Sequence, residues 1–438
     1  MRIFSFRGGV HPPYHKDLTR DNPIHTAQVA SQMAVPLVQH IGAPCQPAVE
    51  KGARVKEGQV IGKADAFVSA PVHSPVSGKV KKIEPVLHPL GQKILSVIIE
   101  PDGEEEKEYL EPLGEVPEEI DPKKMLDRIR QAGIVGMGGA TFPTHVKFSP
   151  PKDKPIDTLV LNGCECEPYL SADHRIMLER SADIVLGARI IARVLQVKKT
   201  IIAVETNKMD AAEELQNHLP EGMELQGTRT KYPQGAEKML IKALLGREVP
   251  SGGLPLDVGV VVSNVGTVIA VCEAVREGKP LIERTVTVTG SGVKEPGNFL
   301  CRIGVLVGEL VKQAGGLQGQ PGKLILGGPM MGLAQPSFEV PVIKGTSGVL
   351  VMQQADYMRE SYLPCIKCSF CVQSCPVGLV PSKLSIIGEA QKWELAENYG
   401  VNDCIECGSC AYGCPSKRPI VQLIKTTKAK LKEIKSRE

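Results

Sequence analysis

Cysteines are the residues of this chain whose number and spacing most clearly predict chemistry. The chain has 13 cysteines in 438 residues, and eight of them lie between residues 365 and 414. They form two runs of identical spacing, Cys365-x2-Cys368-x2-Cys371-x3-Cys375-Pro and Cys404-x2-Cys407-x2-Cys410-x3-Cys414-Pro. Three thiolates at two-residue spacing can wrap one face of an iron–sulfur cubane, while a fourth followed by proline points away from it. The runs therefore predict two [4Fe–4S] clusters.

The same spacing occurs in two-cluster bacterial ferredoxins, where the fourth cysteine of each run binds the other cluster. On that template the ligand sets are crossed: Cys365, Cys368, Cys371 and Cys414 for one cluster, and Cys404, Cys407, Cys410 and Cys375 for the other. A pair of zinc sites is the alternative, since CxxC pairs also suit tetrahedral zinc. The repeated x3-Cys-Pro ending favours clusters. Two neighbouring clusters carry single electrons, so another group must supply or accept them.

A glycine-dense segment is the second place where the sequence predicts a binding function. Residues 133–147 read GIVGMGGATFPTHVK and contain Gly136, Gly138, Gly139, Phe142 and Lys147. Glycines let the backbone approach a flat ring or a phosphate, and they present bare N–H groups to anions. The segment follows a predicted helix rather than a strand, which is not the setting of a GxGxxG fingerprint. A flexible turn is therefore the alternative interpretation.

Three further segments gather polar groups at the ends of predicted elements. Residues 162–168, Asn-Gly-Cys-Glu-Cys-Glu-Pro, end a buried strand and include Asn162, Glu165 and Glu167. Two other segments open predicted helices, and their residues of interest are Gly235, Glu237, Asn264 and Thr267. The carboxyl ends of strands in α/β sheets bind ligands, and helix N-termini bind phosphates. Together these segments predict a ligand site in an α/β unit.

The elements that must position these groups indicate a multidomain α/β protein. The predicted units are an N-terminal arm (1–30), a small β domain (31–100), an acidic linker (101–121), an α/β domain (122–283), a β-grasp domain (284–345) and an α-helical two-cluster ferredoxin-like domain with a basic tail (346–438). Residues 31–100 resemble the barrel-sandwich of biotinyl and lipoyl carrier domains. Residues 69–74, where those carriers have a lysine, read SAPVHS, so we expect a structural role.

Composition excludes several functions. The net charge of +3 gives no case for binding nucleic acid. The sequence lacks a P-loop, the apolar region of a signal peptide, and an apolar run long enough to span a membrane. The chain is therefore expected to be cytoplasmic and soluble. Cys164 and Cys166 could form a redox pair, although a sterically suitable pair beside a cofactor is the simpler interpretation.

The glycine-dense and polar segments resemble the flavin- and NADH-binding subunit of respiratory complex I and its relatives. The matching residues are Gly136, Gly138, Gly139, Phe142, Lys147, Asn162, Glu165, Glu167, Pro168, Gly235, Glu237, Asn264 and Thr267. The resemblance implies a Rossmann-like domain in which Lys147 and Asn162 bind FMN. It also implies that Phe142, Glu167 and Glu237 face NAD(H). Cys164, Ala236 and Ser263 depart from the family pattern, so hydrogen bonds to the flavin and nicotinamide are expected to differ.

Across nearly its full length the chain resembles the C subunits of the Rnf complexes, membrane-bound ferredoxin:NAD oxidoreductases that move Na⁺ or H⁺. The resemblance rests on FRGGVHPP-x-HK, the barrel-sandwich, GMGGATFPTHVK, NGCECEPY, GGPMMG and the paired cysteine runs. It implies a peripheral subunit on the cytoplasmic face of the membrane, with integral and ferredoxin-like subunits as partners and ferredoxin as an indirect one. An NADH-dependent cobalamin reductase is one alternative. A scaffold that keeps the clusters but has lost flavin is another.

Overall fold

The computed structural model describes residues 2–356 and 361–437. Its central unit is a parallel sheet covered by helices on both faces. The strands lie in the order Ile3–Phe4, Met223–Thr228, Lys199–Glu205, Thr158–Gly163 and Val260–Asn264. The inner strands are rich in Val, Ile and Leu and almost entirely buried, as expected where helices cover both faces.

Strand order reverses beside Thr158–Gly163. The next two sheet strands along the chain, Lys199–Glu205 and Met223–Thr228, are added on one side, and Val260–Asn264 is added on the other. Asn162 and Asn264 pair across these neighbouring strands. A crevice opens at the carboxyl ends of strands where the order reverses, and ligands of open α/β sheets bind there.

The helices of this unit begin and end as their sequences predict. Asp121 accepts a hydrogen bond from the backbone N–H of Lys123 and, with Pro122 at the first position, starts the helix that follows. Gly187 lets two other helices pack closely, since a Cβ there would lie 2.4 Å from the carbonyl oxygen of Val268. The helices are Pro122–Gln131, Thr144–Lys147, Ala172–Glu179, Ser181–Leu195, Met209–Gln216, Glu237–Leu245 and Val265–Arg276.

The N-terminal β unit consists of two small sheets. One contains Met33–Pro36, Lys93–Pro101, Gly78–Leu87 and Arg54–Val55, and the other contains Gln46–Pro47, Val60–Lys63 and Val72–His73. Met33, Val35, Ile61, Val72 and Val97 are buried between them. The same apolar cluster continues into the β-grasp unit, so the two units share a core.

The β-grasp unit contains a mixed sheet around the helix Val307–Gln313. Its strands lie in the order Leu333–Gln335, Pro321–Leu326, Gly348–Gln353, Glu283–Thr289, Gly297–Arg302 and Ile24–Thr26. From the sequence, residues 284–316 are expected to form one strand, a turn and a helix, whereas the structure has an antiparallel hairpin before the helix. Gly348–Gln353 joins the sheet beyond the boundary at residue 345, because it pairs with Glu283–Thr289 on one side and Pro321–Leu326 on the other.

Short helices surround the cysteine runs. They are Phe370–Ser374, Pro381–Glu389, Trp393–Asn398, Ser409–Tyr412 and the long C-terminal helix Ile420–Lys435. Leu384, Ile387, Ala396, Ile420 and Ile424 form their apolar core. This core is small, so bound clusters would contribute much of the unit's cohesion.

The N-terminal arm and the acidic segment both lie against the other units. Ile3–Phe4 is added to the central sheet and Ile24–Thr26 to the β-grasp sheet. Within the acidic segment, the backbone N–H groups of Leu110 and Leu113 donate to the carbonyls of Gly278 and Val275. Its acidic side chains are mostly exposed, while these backbone bonds hold the segment against the central unit.

Candidate cofactor sites

The two cysteine runs adopt the same unusual backbone. The residue before the second cysteine has a positive φ in each run, 56° at Lys367 and 57° at Glu406. The residue after it does as well, 62° at Ser369 and 85° at Gly408. Left-handed residues cost roughly 1–2 kcal/mol each outside glycine, and loops of this kind direct successive N–H groups toward an anion. A thiolate-ligated iron–sulfur cubane is such an anion, so the backbone fits two clusters.

The structure brings Cys375 together with the second run rather than its own. Cys375, Cys404, Cys407 and Cys410 line one cavity, which is closed on its apolar side by Leu379, Val421 and Ile424. Burial raises the pKa of the Cys410 thiol, and the nearby thiols of Cys407, Cys404 and Cys375 raise it further. In such a buried position a thiol loses its proton only when a positive charge is bound beside it, and iron supplies that charge.

The two runs differ in exposure. In the second run Cys407 and Cys410 are buried and Cys404 is half-buried, whereas in the first run Cys371 is buried, Cys365 is half-buried and Cys368 is exposed. Ile366 and Phe370 are exposed apolar side chains beside the first run. In the part of the chain that the structure describes, no three His, Cys, Asp or Glu side chains are arranged to hold a single metal ion. The thiols of Cys375, Cys404, Cys407 and Cys410 line a cavity instead, which is an arrangement that suits a cluster.

The glycine-dense loop lies in the crevice where the strand order reverses. The backbone N–H of Met137 donates to the Thr267 hydroxyl over 2.9 Å, and a Cβ on Gly138 would lie 3.4 Å from Asn264. Asn264 caps the helix Val265–Arg276 by accepting from the N–H of Gly266. Gly139 has a φ of 115°, and a Cβ there would meet nothing within 4 Å. The loop thus presents open backbone beside a helix N-terminus, a setting that fits a phosphate or a flat ring.

One contact from this loop and one from the strand Thr158–Gly163 reach the segment around Gly235. Lys147 Nζ lies 2.5 Å from Glu237 Oε1, and Asn162 Nδ2 donates to the carbonyl of Gly235 over 2.8 Å. The predicted residues Gly136, Gly138, Gly139, Phe142, Lys147, Asn162, Gly235, Glu237, Asn264 and Thr267 are therefore brought to one crevice. Gln234, beside Gly235, is fully buried, and neither polar atom of its carboxamide has a partner among the described residues. Buried polar atoms without a protein partner indicate that a ligand or a water molecule completes the site.

Glu165 and Glu167 make contacts inside the protein. The carboxylate of Glu165 accepts from the backbone N–H groups of Asp173 and His174. That of Glu167 accepts from the backbone N–H groups of Met330 and Met331, over 3.1 and 2.8 Å, in the GGPMMG turn. Burial raises the pKa of Glu167 to about 7. Glu167 thus connects the strand end to the β-grasp unit, and its expected role toward nicotinamide remains a prediction.

Lys16 is a site residue that the sequence did not reveal. Its buried ammonium donates to the carbonyls of Glu165, Glu167 and Leu170, and its Nζ lies 3.8 Å from Glu165 Oε2. Burial lowers the pKa of Lys16, while Glu165 opposes that shift. The arm is thereby fastened to the loop after Thr158–Gly163. Nothing in the local pattern HPPYHK distinguishes this lysine from an exposed one.

Asp173 is a second residue that the sequence did not reveal. It accepts from Asn264 Nδ2 over 2.7 Å, and burial together with Glu165 raises its pKa to about 7. Cys164 and Cys166 are buried and separate in their contacts: Cys164 Sγ lies 3.2 Å from the Thr228 hydroxyl, and Cys166 Sγ accepts from the N–H of Gly235. Burial raises the pKa of Cys164 to about 12, so this thiol stays protonated and unreactive.

Comparison with protein families assigns each unit to a known type. The matched families are described as the RnfC barrel sandwich hybrid domain (4–104), the Nuo51 FMN-binding domain (129–273), the SLBB domain (285–334) and the 4Fe-4S dicluster domain (352–418). Fold and cysteine geometry agree with these assignments. They define a class of electron-transfer protein that carries FMN and two [4Fe–4S] clusters.

Relatives extend the similarity over the whole chain. The chain is 49% identical over 437 residues to the C subunit of the proton-translocating ferredoxin:NAD(+) oxidoreductase complex of Clostridium ljungdahlii, covering 99% of this chain and 95% of that one. It is 44% identical to the Na(+)-translocating counterpart of Acetobacterium woodii, covering 98% and 97%. The C subunit of an ion-translocating oxidoreductase complex of Rhodobacter capsulatus is 42% identical, covering 100% and 85%.

This chain therefore belongs to the family of C subunits of ion-translocating ferredoxin:NAD⁺ oxidoreductase complexes, the Rnf complexes. Membership confirms the expected multidomain fold, the cofactors FMN and [4Fe–4S], and an oxidoreductase function. The cobalamin reductase alternative is not favoured. Within residues 2–356 and 361–437, no helix combines the length and apolar character needed to cross a bilayer.

Proposed function

We propose that this chain is the peripheral subunit that exchanges electrons with NAD(H) and passes them through its two clusters to other subunits of the complex. FMN held by this chain would supply the hydride exchange with NAD(H) and the conversion between two-electron and one-electron transfer, with the net balance NADH → NAD⁺ + H⁺ + 2 e⁻. Under physiological flow from ferredoxin to NAD⁺, the same steps run in reverse and are coupled to movement of Na⁺ or H⁺.

The observation that carries this proposal is the joining of a ligand crevice and a cysteine cavity by one short segment. Tyr232 contacts the cysteine unit, and Gly235 and Glu237 contact the crevice. Electron exchange between NAD(H) and the clusters needs a group that converts two-electron into one-electron transfer, and it needs a nearby cluster that accepts the electrons. Here the chain provides binding positions for both.

Individual residues have distinct proposed tasks in holding the flavin. The ammonium of Lys147 and the open N–H groups of the glycine-dense loop bind the FMN phosphate and ring edge, and Asn162 holds the Gly235 segment in place. The N-terminus of the helix Val265–Arg276 adds its positive dipole. Phe142 and Glu237 border the space for the nicotinamide, and the buried Ile–Val strands below exclude water.

We further propose that the subunit is located at the cytoplasmic face of the membrane. The exposed cluster run and the family's complexes support docking on integral and ferredoxin-like subunits at the cytoplasmic face of the membrane. Ferredoxin would then be an indirect partner. The basic C-terminal helix adds little to this argument, because Lys425, Lys428 and Lys435 already pair with Glu406 and Glu397.

The proposal is tested on anaerobically purified, reconstituted protein. We expect eight irons and one FMN per chain, and bleaching of the flavin absorbance on addition of NADH. Eight irons without flavin, or flavin that NADH does not bleach, would contradict the NAD(H) half of the proposal. In that event the scaffold alternative would stand.

A further inference from the structure

The cysteine unit contacts the flavin domain through one buried tyrosine. Tyr232 is 1% exposed, and its hydroxyl donates to the carbonyl of Cys407 over 2.6 Å. Its ring belongs to a small apolar cluster with Val10, Cys166 and Cys407. Cys166 lies three residues after the strand Thr158–Gly163, which carries Asn162, so this cluster lies between the two cofactor sites.

The N-terminal arm closes the same junction from the side. Val10 and Tyr232 exchange two backbone hydrogen bonds of 2.8 and 3.0 Å, and the N–H of Gly9 donates to the carbonyl of Ser374. A Cβ on Gly8 would lie 2.8 Å from the Cys375 carbonyl oxygen, and one on Gly9 would lie 2.5 Å from that of Tyr232. Because Gly8 packs against Cys375 and Gly9 packs against Tyr232, the backbone of the arm fixes the separation of these two residues.

Two cysteines of the first run, Cys365 and Cys368, lie nearer the protein surface. Cys368 is exposed, with Ile366 67% exposed and Leu363 61% exposed near it. By contrast, Cys407 and Cys410 are buried, and a Cβ on Gly408 would lie 3.1 Å from the carbonyl oxygen of Met330. The Met330 backbone in turn binds Glu167, which lies just beyond the strand end. Cys407 and Gly408 of the second run therefore face the flavin domain, whereas Cys365 and Cys368 of the first run are nearer to solvent.

We propose that the cluster held by Cys404, Cys407, Cys410 and Cys375 is the one that exchanges single electrons with the flavin, and that Tyr232 is the positioning residue for this contact. The phenol hydroxyl holds the Cys407 carbonyl, at the start of the short segment whose Ser409 backbone N–H contacts the Cys407 sulfur. Ser409 Oγ lies 3.4 Å from that sulfur. Hydrogen bonds to cluster sulfurs set the reduction potential, so a change at Tyr232 reaches the cluster through this peptide.

The inference rests on the proposed function only for the flavin's position. Each electron from a reduced flavin would pass to the inner cluster, held by Cys404, Cys407, Cys410 and Cys375, then to the outer cluster of the first run, and then to a partner subunit. Two such transfers would reoxidise the flavin, which would release the proton it took up from solvent and the one that arrived with the hydride. Nothing else is consumed.

The test compares wild-type protein with Tyr232→Phe, which keeps the ring and removes the hydroxyl. Tyr412→Phe is the matched control, because Tyr412 is exposed and lies two residues after Cys410. Potentials are measured by dithionite titration with electron paramagnetic resonance, and Cys368→Ser identifies the outer cluster's signal. We expect Tyr232→Phe to keep its iron and FMN, to shift the inner cluster's potential alone, and to slow cluster reduction by NADH about two- to tenfold, the range that one hydrogen bond represents.

An unchanged inner potential, or a shift confined to the outer cluster, would overturn the inference. If Tyr232→Phe does not fold, the order of the clusters is tested with Cys368→Ser, in which NADH should still reduce the inner cluster at the wild-type rate; loss of that reduction would overturn the order. The dithionite titration needs neither NADH nor flavin. Failure of the proposed function, seen as wild-type flavin that NADH does not bleach, is therefore distinguishable from failure of the role of Tyr232.

Discussion

Lys147 and Glu237 show how the predicted flavin site can be tested at the scale of single residues. Their ion pair is partly exposed, at 27% and 43% of the side chains, so it contributes little to folding, about 0–1 kcal/mol. We expect Lys147→Ala to fold normally and to lose FMN during gel filtration, because the ammonium that would meet the phosphate is gone. Flavin content after chromatography, together with the iron content, measures this.

The control for that prediction is Lys152→Ala, an exposed lysine in the loop that follows. It should retain both FMN and iron at wild-type levels. If Lys147→Ala retains stoichiometric FMN, Lys147 does not bind the phosphate, and the positions carried over from the complex I resemblance would need to be reassigned.

Single residues also show where sequence reasoning stops. The eight cluster cysteines could be predicted because their spacing is local, and the glycine-dense loop because its composition is unusual. Lys16, Asp173 and Tyr232 could not, because each acquires its role from partners far along the chain. Lys16, for example, binds carbonyls about 150 residues away, and no local pattern encodes that contact.

At the scale of elements, the crossed arrangement of the cysteines makes a clear prediction. Cys375 ends the helix Phe370–Ser374 with extended backbone, and Pro376 continues the chain away from its own run. We expect Cys375→Ser to alter the electron paramagnetic resonance signal and potential of the inner cluster held by residues 404–410, and to leave the outer cluster intact. Redox titration of both signals tests this.

Ser374→Ala is a suitable control, because it changes the neighbouring buried residue without removing a thiol. Damage limited to the cluster of Cys365, Cys368 and Cys371 after Cys375→Ser would refute the crossed ligation. Cys414→Ser should give the mirror result, with loss confined to the outer cluster.

Elements with one strong periodic pattern were predicted, and those that depend on remote pairing were not. The sequence predicts helices over residues 125–134, 181–196 and 236–246 and a strand over 157–162. The structure has the helices Pro122–Gln131, Ser181–Leu195 and Glu237–Leu245 and the strand Thr158–Gly163. Met223–Thr228 escaped prediction because its alternating polar residues carry a weak strand pattern, and it is fixed by pairing with Ile3–Phe4 and Lys199–Glu205. Val260–Asn264 merged with the helix after it, since both are apolar and continuous in the sequence.

At the scale of the whole molecule, one buried lysine connects three units. Lys344 of the β-grasp unit is 1% exposed, and its ammonium donates to the carbonyls of Pro71 in the barrel-sandwich and Gly133 before the glycine-dense loop, over 2.8 and 2.7 Å. Its backbone N–H donates to Gln39 Oε1. The relative placement of these three units therefore depends on the Lys344 ammonium, which is hydrogen-bonded to carbonyl groups.

This placement makes stability depend on pH. Burial lowers the pKa of Lys344 from 10.5 to about 8, and Cys45 only partly opposes this. The nearby His40 and His73 have pKa values of about 4 and 3, so they stay neutral above pH 7. Between pH 8 and 10.5 the unfolded chain holds a proton on Lys344 that the folded chain has lost, and so the free energy of unfolding rises with pH in that window.

We expect the stability of wild-type protein relative to Lys344→Met to increase by about 2 kcal/mol between pH 7.5 and 9.5, which corresponds to a Tm difference growing by several degrees. Thermal unfolding of both proteins at one scan rate measures this, and taking the difference cancels groups common to both. Lys312→Met, at an exposed lysine of the same unit, should show a difference that is constant with pH. A constant difference for Lys344→Met as well would mean that its ammonium is not desolvated in the folded protein.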